Sequence, residues 1–163
     1  MKNNLIIGID PGRNTGIAIL QNGEPVQLSV VTLKSKNLNE MSAELTYNLE
    51  KVIDADIRDI SLGVIEMPVI YNRLQNLGNP NDILKVGFLA GVASAFFTWS
   101  TLPTPRDWKG STPKNINHKR TLARAGLKAL DLLHYIPKSK QEHAIDALGV
   151  ALWAWEGENN EKI

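Results

Sequence analysis

The sequence predicts an α/β fold with a five-stranded mixed sheet, in which an antiparallel meander is followed by parallel strands and helices flank the sheet. Three observations predict it. Two Ile-rich runs at 5–9 and 17–20 are separated by a Pro-Gly turn, an Asn-Gly pair at 22–23 leads into a third strand, and an apolar run at 60–65 follows a helical segment. Antiparallel strands need only short turns, whereas a strand that returns after a helix pairs in parallel.

The first hairpin holds one carboxylate at its tip. Pro11 cannot donate a ladder hydrogen bond and Gly12 accepts a positive φ, so the first strand ends beside Asp10. Taken alone, this stretch fits a solvated turn aspartate as well as a ligand for a metal ion or a phosphate.

A second strand also ends in an acid next to a proline. The meander closes with a strand from Pro25 to Leu33, and residues 37–54 have helical spacing with Asn37 or Asn39 as a cap. The strand at 60–66 then ends in Glu66, two residues before Pro68. Because parallel neighbours lie about 5 Å apart, we expect the two acids to lie together at one edge of the sheet.

The second half of the chain is predicted to be mainly helical. A polar loop at 69–82 leads into a helix over 81–99, a short edge strand at 102–105 and a basic loop at 106–117. The basic helix that follows, 118–133, is expected to bury the apolar residues Leu122, Ala125, Leu127, Leu130 and Leu133.

The last helix has a predicted capping box formed by Ser139 and Glu142. It places His143 and Asp146 three residues apart on one face. His143 fits both a metal ligand and an exposed residue of the first turn.

The totals describe one ordinary globular domain. The chain has 163 residues and no cysteine, which excludes disulfides and thiolate metal sites. We expect a single domain over 1–156 and a disordered polar tail over 157–163. No signal peptide or membrane-length apolar run is seen, so a cytoplasmic location is expected.

Positive charge is concentrated in one segment. Between 103 and 140 there are nine Lys and Arg residues and two acids, while the remainder carries nine and fifteen. Such a strip fits either a surface that meets phosphates or a solvated helix face.

Four residues are candidates for shared chemistry: Asp10, Glu66, His143 and Asp146. Clustered carboxylates repel one another unless a cation lies among them, and oxygen-rich sites suit Mg²⁺ or Mn²⁺. Two such ions can clamp both oxygens of a phosphodiester displacement.

The motifs resemble those of the RuvC-type Holliday junction resolvases, which belong to the ribonuclease H-like superfamily. The similarity lies in the GIDPG run at 8–12, Thr15-Gly16, Ile65-Glu66 and the HAIDAL run at 143–148, in this order along nearly the whole chain. It implies a homodimeric, Mg²⁺-dependent endonuclease that makes paired nicks across a four-way DNA junction, with Mn²⁺ able to substitute. It also implies that the four candidates are the catalytic, metal-binding residues, and that the host is a bacterial or phage-infected cell.

The resemblance also implies a DNA-binding set. Bacterial members carry an aromatic wedge shortly after the catalytic Glu; here Val69 and Ile70 come first, and Tyr71 is a candidate substitute. The run from Pro105 to Lys109 looks like that of phage and viral relatives. Trp108, within that run, fits equally a packing residue. The expected DNA contacts are Tyr71, Arg73, Lys85, Arg106, Lys109, Lys114, Lys119 and Arg120.

Other functions fit parts of the pattern. A related ribonuclease H-like nuclease would act on branched DNA more broadly or on structured RNA, and a junction-binding protein would keep only a vestigial site. The turn after Asp10 also resembles the phosphate loop of actin-like and sugar kinases, but those proteins need a second lobe and loop that this chain lacks.

Overall fold

The structure is a computed structural model and describes residues 5–69 and 79–160. Its sheet has five strands: β1 Leu5–Asp10, β2 Asn14–Gln21, β3 Glu24–Thr32, β4 Ser61–Ile65 and β5 Trp99–Thr101. They lie in the order β3-β2-β1-β4-β5. β2 pairs antiparallel with β1 and β3, whereas β1, β4 and β5 pair in parallel. The predicted mixed sheet is confirmed.

Helices cover both faces of the sheet. They are α1 Leu38–Val52, α2 Ala55–Ile60, α3 Pro80–Ala95, α4 Pro105–Lys109, α5 Lys114–His134 and α6 Gln141–Asn160. α1 and α3 pack on one face and α5 and α6 on the other. No helix within the described ranges has both the length and the apolar surface needed to cross a bilayer.

Side chains alternate along β1 and thereby assign each residue to a face. Ile7 and Ile9 belong to the core beneath α1 and α3, whereas Ile6 packs with Leu148 of α6. The same alternation directs Asp10 toward α6.

Two prolines explain why the predicted edge strand is misplaced. The helix expected to reach residue 99 ends at Ala95, and β5 pairs Trp99–Thr101 with Leu62–Val64 of β4. Pro103 and Pro105 have no N–H to donate, so the strand predicted at 102–105 does not form, although the Pro103 carbonyl still accepts a hydrogen bond from the Met67 N–H at 2.8 Å.

The segment predicted as a basic loop, 106–117, is largely helical. The Asp107 carboxylate accepts hydrogen bonds from the Thr104 N–H at 2.7 Å and the Thr104 hydroxyl at 2.8 Å. With Pro105 in the first turn, these bonds start α4. α5 then begins at Lys114, directly after Pro113.

α5 is interrupted at Gly126, which has φ 71° and ψ −168°. The break changes the face that later residues present. Leu127 and Leu130, predicted to be buried, are 78% and 49% exposed, whereas Leu133 is buried as predicted.

α6 continues past the predicted end of the domain. The Arg124 guanidinium donates to the Glu156 carboxylate at 2.9 Å, which ties the last turns of α6 to α5. Residues 157–160 continue this helix, and 161–163, the rest of the tail expected from 157, lie outside the described residues.

Candidate active site at one edge of the sheet

Asp10 and Glu66 lie side by side at the ends of neighbouring parallel strands. Ile9 and Ile65 are register partners, and the Glu66 N–H donates to the Ile9 carbonyl at 2.9 Å. The turn after Asp10 is closed by the buried Thr15, whose hydroxyl donates to the Gly12 carbonyl at 2.7 Å. The predicted juxtaposition of the two acids is confirmed.

Two glycines let α6 approach the sheet closely enough to add its own side chains. A Cβ on Gly8 would lie 2.1 Å from the Ala147 carbonyl oxygen, and one on Gly16 would lie 1.9 Å from that of His143. Both neighbours are backbone atoms that cannot rotate away. Only glycine therefore fits where α6 crosses β1 and β2.

The predicted capping box at the start of α6 is wrong. Ser139 lies inside a 3-10 turn, Lys138–Lys140, and makes no side-chain hydrogen bond among the described residues. The Gln141 amide instead donates to the carbonyls of Leu133 at 2.9 Å and Ile136 at 3.0 Å. These bonds anchor the start of α6 to the end of α5. They fix where the helix begins in place of a local side-chain cap.

His143 reaches Asp10. Its Nδ1 lies 3.0 Å from Asp10 Oδ2, and the two side chains are 26% and 17% exposed. Burial raises the pKa of Asp10, although the hydrogen bond from His143 opposes this. The bond to Asp10 raises the pKa of His143 and favours its charged form. The alternative of an exposed histidine in the first turn does not hold, since the side chain is half-buried and bonded to Asp10.

Glu66 is held by the residues of α4. The Trp108 indole N–H donates to Glu66 Oε2 at 2.7 Å, and Lys109 Nζ lies 3.4 Å from the same oxygen. The Trp108 ring packs against α6 at Gly149, where a Cβ would lie 2.5 Å from it. Burial raises the pKa of Glu66, and Lys109 opposes this. Trp108 is therefore both a packing residue and a hydrogen-bond donor to the site.

Asp146 is paired with two residues of α5. Its Oδ2 lies 3.2 Å from Lys114 Nζ and its Oδ1 lies 2.9 Å from His118 Nε2, while its side chain is only 7% exposed. Lys114 also pairs with Glu142 at 3.1 Å. Burial opposes the charge on Lys114, but the two acids outweigh it and raise the pKa of Lys114.

His118 is the site residue that sequence reasoning missed. It follows Lys114 by four residues, which places both on one face of α5. This spacing would have indicated His118 as a site residue if the helix had been predicted to begin at Lys114.

The fit of this site to a metal ion rests on its donor chemistry. Among residues 5–69 and 79–160, no three His, Asp or Glu side chains are grouped closely enough to hold an ion. Each carboxylate is paired instead with the donors described above. Asp10 and Asp146 nevertheless lie near enough to raise the pKa of Glu66 by repulsion. Buried carboxylates of this kind fit a hard divalent cation such as Mg²⁺.

The predicted DNA-binding residues do not form one group. Lys109 and Lys114 contact the acids, whereas Arg106, Lys119 and Arg120 are exposed and do not reach them. Lys85 lies on α3, where it pairs with Asp82 at 3.4 Å. Tyr71 and Arg73 fall outside the described residues.

The sheet order and the two helical layers define a ribonuclease H-like fold, as predicted. Two solved structures with this fold are those of RuvC from Thermus thermophilus. One is described as T. thermophilus RuvC in complex with Holliday junction substrate, with a TM-score of 0.61 and 17% sequence identity, and the other as the Thermus thermophilus RuvC structure, with 0.65 and 18%. Each comparison covers 96% of both chains. Neither the family models nor the curated proteins compared with the sequence match it.

Proposed function

We propose that this chain is a Mg²⁺-dependent endonuclease that resolves four-way DNA junctions by paired symmetric nicks. One observation carries the proposal: Asp10, Glu66, His143 and Asp146 are brought to a single sheet edge in the fold of a RuvC that has been solved with a Holliday junction. The acid-lined edge supports phosphodiester hydrolysis, and the likeness to that complex supports the junction as substrate.

Asp10, Glu66, His143 and Asp146 would hold the ions by exchanging their present partners for metal, since no three such side chains among the described residues are grouped closely enough as they stand. Bound there, two Mg²⁺ ions, or Mn²⁺ in their place, would supply Lewis-acid stabilisation and an activated water for in-line displacement at phosphorus. The basic residues beside them, Lys109 and Lys114, are 20% and 52% exposed and would attract the phosphate backbone to the site. Contacts of this kind position DNA without reading its sequence.

Paired nicks require two sites, so we propose that the protein acts as a homodimer. α3 supports this with an exposed apolar row at helical spacing, Leu84 and Phe88, which are 62% and 41% exposed. Gly91 and Ala95 continue the row, and Trp99 beyond the helix is 69% exposed. Phe96 is not part of this row, because it is half-buried and packs edge-on against Phe97.

The proposal is tested with labelled four-way junction, linear duplex, fork DNA and structured RNA, each with Mg²⁺ or with EDTA. We expect symmetric nicks in the junction alone and only with Mg²⁺. Equal cleavage of the fork would indicate a broader branched-DNA nuclease, and cleavage confined to the RNA would indicate an RNA-processing enzyme. Either result overturns the junction assignment.

Asp146→Asn separates binding from cleavage. It keeps the shape of the side chain but removes its charge, so we expect junction binding to persist and cleavage to fall at least about 10³-fold, in the range of losing a principal catalytic group. Asp59→Asn is the matched control, since Asp59 pairs with Arg58 just before β4, at the opposite end of the strand from Glu66. Full cleavage by the Asp146 variant contradicts the metal-dependent mechanism.

A further inference from the structure

A second basic site lies on the other face of the sheet. Between the β1–β2 turn, the segment before α1 and the start of α3 is a cavity of about 440 Å³. Its rim carries three cations and one carboxylate, and its floor is apolar. The residues that matter here are Arg13, Lys36, Lys85, Asp82, Met41 and Leu89.

The cavity opens at the same sheet edge as the acid cluster. Arg13 lies in the turn that follows Asp10, and its carbonyl accepts a hydrogen bond from the Leu33 N–H at 2.7 Å. That bond brings the end of β3, and with it Lys36, to this edge. Met41 and Leu89 belong to the core beneath α1 and α3. The acids that face α6 therefore have cations on both sides of the sheet.

Among the described residues these cations lack strong acidic partners. Neither Arg13 nor Lys36 forms an ion pair within 5–69 and 79–160. Within the described part of the chain Lys85 pairs only with Asp82, at 3.4 Å, and both side chains are exposed, at 47% and 67%. Exposed pairs of this kind contribute little. The rim therefore keeps a net positive charge of about +2, counted as fully ionised side chains at neutral pH.

We propose that this cavity binds a backbone phosphodiester of a DNA strand that crosses the acid cluster toward the α1 and α3 face. The Arg13 guanidinium suits two phosphate oxygens at once, and Lys36 adds a point charge. The apolar floor accepts the edge of the adjoining sugar. The proposal rests on the proposed function, because it takes DNA as the ligand.

The test is the salt dependence of DNA binding in EDTA, where no cleavage occurs. Anisotropy with four-way junction and with linear duplex gives the slope of log K against log salt. This slope is negative, and each lost phosphate contact lowers its magnitude by about 0.9. We therefore expect Arg13→Gln and Lys36→Gln to lower it by about 0.9 each, and the double variant by about 1.8.

Lys51→Gln is the matched control. Lys51 lies in the last turn of α1, at the opposite end from Lys36, and its Nζ lies 4.2 Å from the centroid of the Tyr47 ring. We expect its slope to equal that of the parent. Thermal unfolding of each variant shows whether the surface change has left the fold intact.

The outcomes separate the two proposals. If the parent cuts the junction but the double variant keeps the parent slope on both DNAs, the cavity proposal is wrong and the proposed function stands. If the double variant has a shallower salt slope but the parent neither binds the junction more tightly than the duplex nor cuts it, the cavity proposal stands and the junction assignment is wrong. A slope lowered equally by Lys51→Gln overturns the cavity proposal as well.

Discussion

Replacing Gly16 by alanine tests whether the close approach of α6 holds the candidate site together. The new Cβ would lie 1.9 Å from the His143 carbonyl oxygen, whereas ordinary contact begins at 3.4 Å. Both the strand and the helix present backbone here, so no rotamer change relieves the clash. The start of α6 must therefore move outward by roughly 1.5 Å, the difference between these distances.

The cost has two parts. Overpacking between backbone segments costs about 1–3 kcal/mol. The movement also breaks the 3.0 Å bond between His143 and Asp10, and a hydrogen bond to a charged group contributes about 1.5–3 kcal/mol. We expect a total of about 2.5–6 kcal/mol. For a chain of this length, each kcal/mol lowers Tm by about 2–4 °C, so Tm should fall by at least about 5 °C.

Urea and thermal unfolding measure this loss. The matched control is Gly157→Ala, on the same helix, because a Cβ there meets nothing within 4 Å. Helix propensity predicts that the control is neutral or stabilising by up to about 1 kcal/mol. A free energy of unfolding for Gly16→Ala within about 0.5 kcal/mol of the parent value would refute the reasoning, because surface changes without structural effect fall in that range.

Two further changes test single contacts. Trp108→Phe keeps most of the buried ring but removes the N–H that donates to Glu66 at 2.7 Å, so urea unfolding should show a loss of about 1.5–3 kcal/mol. The same loss in a Glu66→Ala background would contradict this explanation. The backbone N–H groups of Lys34 and Ser35 lower the pKa of Glu44 below its ordinary 4.5. Their stabilisation is complete above pH 4.5 and is lost as the pH falls through the lowered pKa. The Tm difference between the parent and Glu44→Gln should therefore shrink below pH 4.5, and a difference unchanged at about pH 3 would count against it.

The strand ends that carry the acids could be predicted because their signals are local. Pro11 and Pro68 stop their strands within two residues of Asp10 and Glu66, and the helix between the strands requires parallel pairing. Parallel register then brings the two carboxylates together whatever the length of the connection.

The starts of helices were harder to predict, because the same capping pattern occurs at more than one place in the sequence. Ser139 and Glu142 have the spacing of a capping box, yet the box that forms is Thr104 with Asp107. What decides at Ser139 is the anchoring of Gln141 on α5, a tertiary contact with no local pattern.

The partners of the acids were beyond sequence reasoning for a related reason. Trp108 meets Glu66 across 42 residues and His118 meets Asp146 across 28. Nothing in either short motif specifies such a pairing. It follows from the depth at which α4 and α5 dock on α6, and there Gly149 leaves room for the indole ring.

The break at Gly126 divides α5 into two modules. In an unbroken helix each inserted residue turns everything beyond it by about 100°, so the two ends could not be altered separately. Because Gly126 has a positive φ, the helix is interrupted there, and the rotation of the second segment about its axis does not follow from that of the first. The segment after it has only to keep Ala129 and Leu133 in the core. Exposed residues of this second segment can therefore be substituted without changing the contacts of Lys114 and His118 with Asp146.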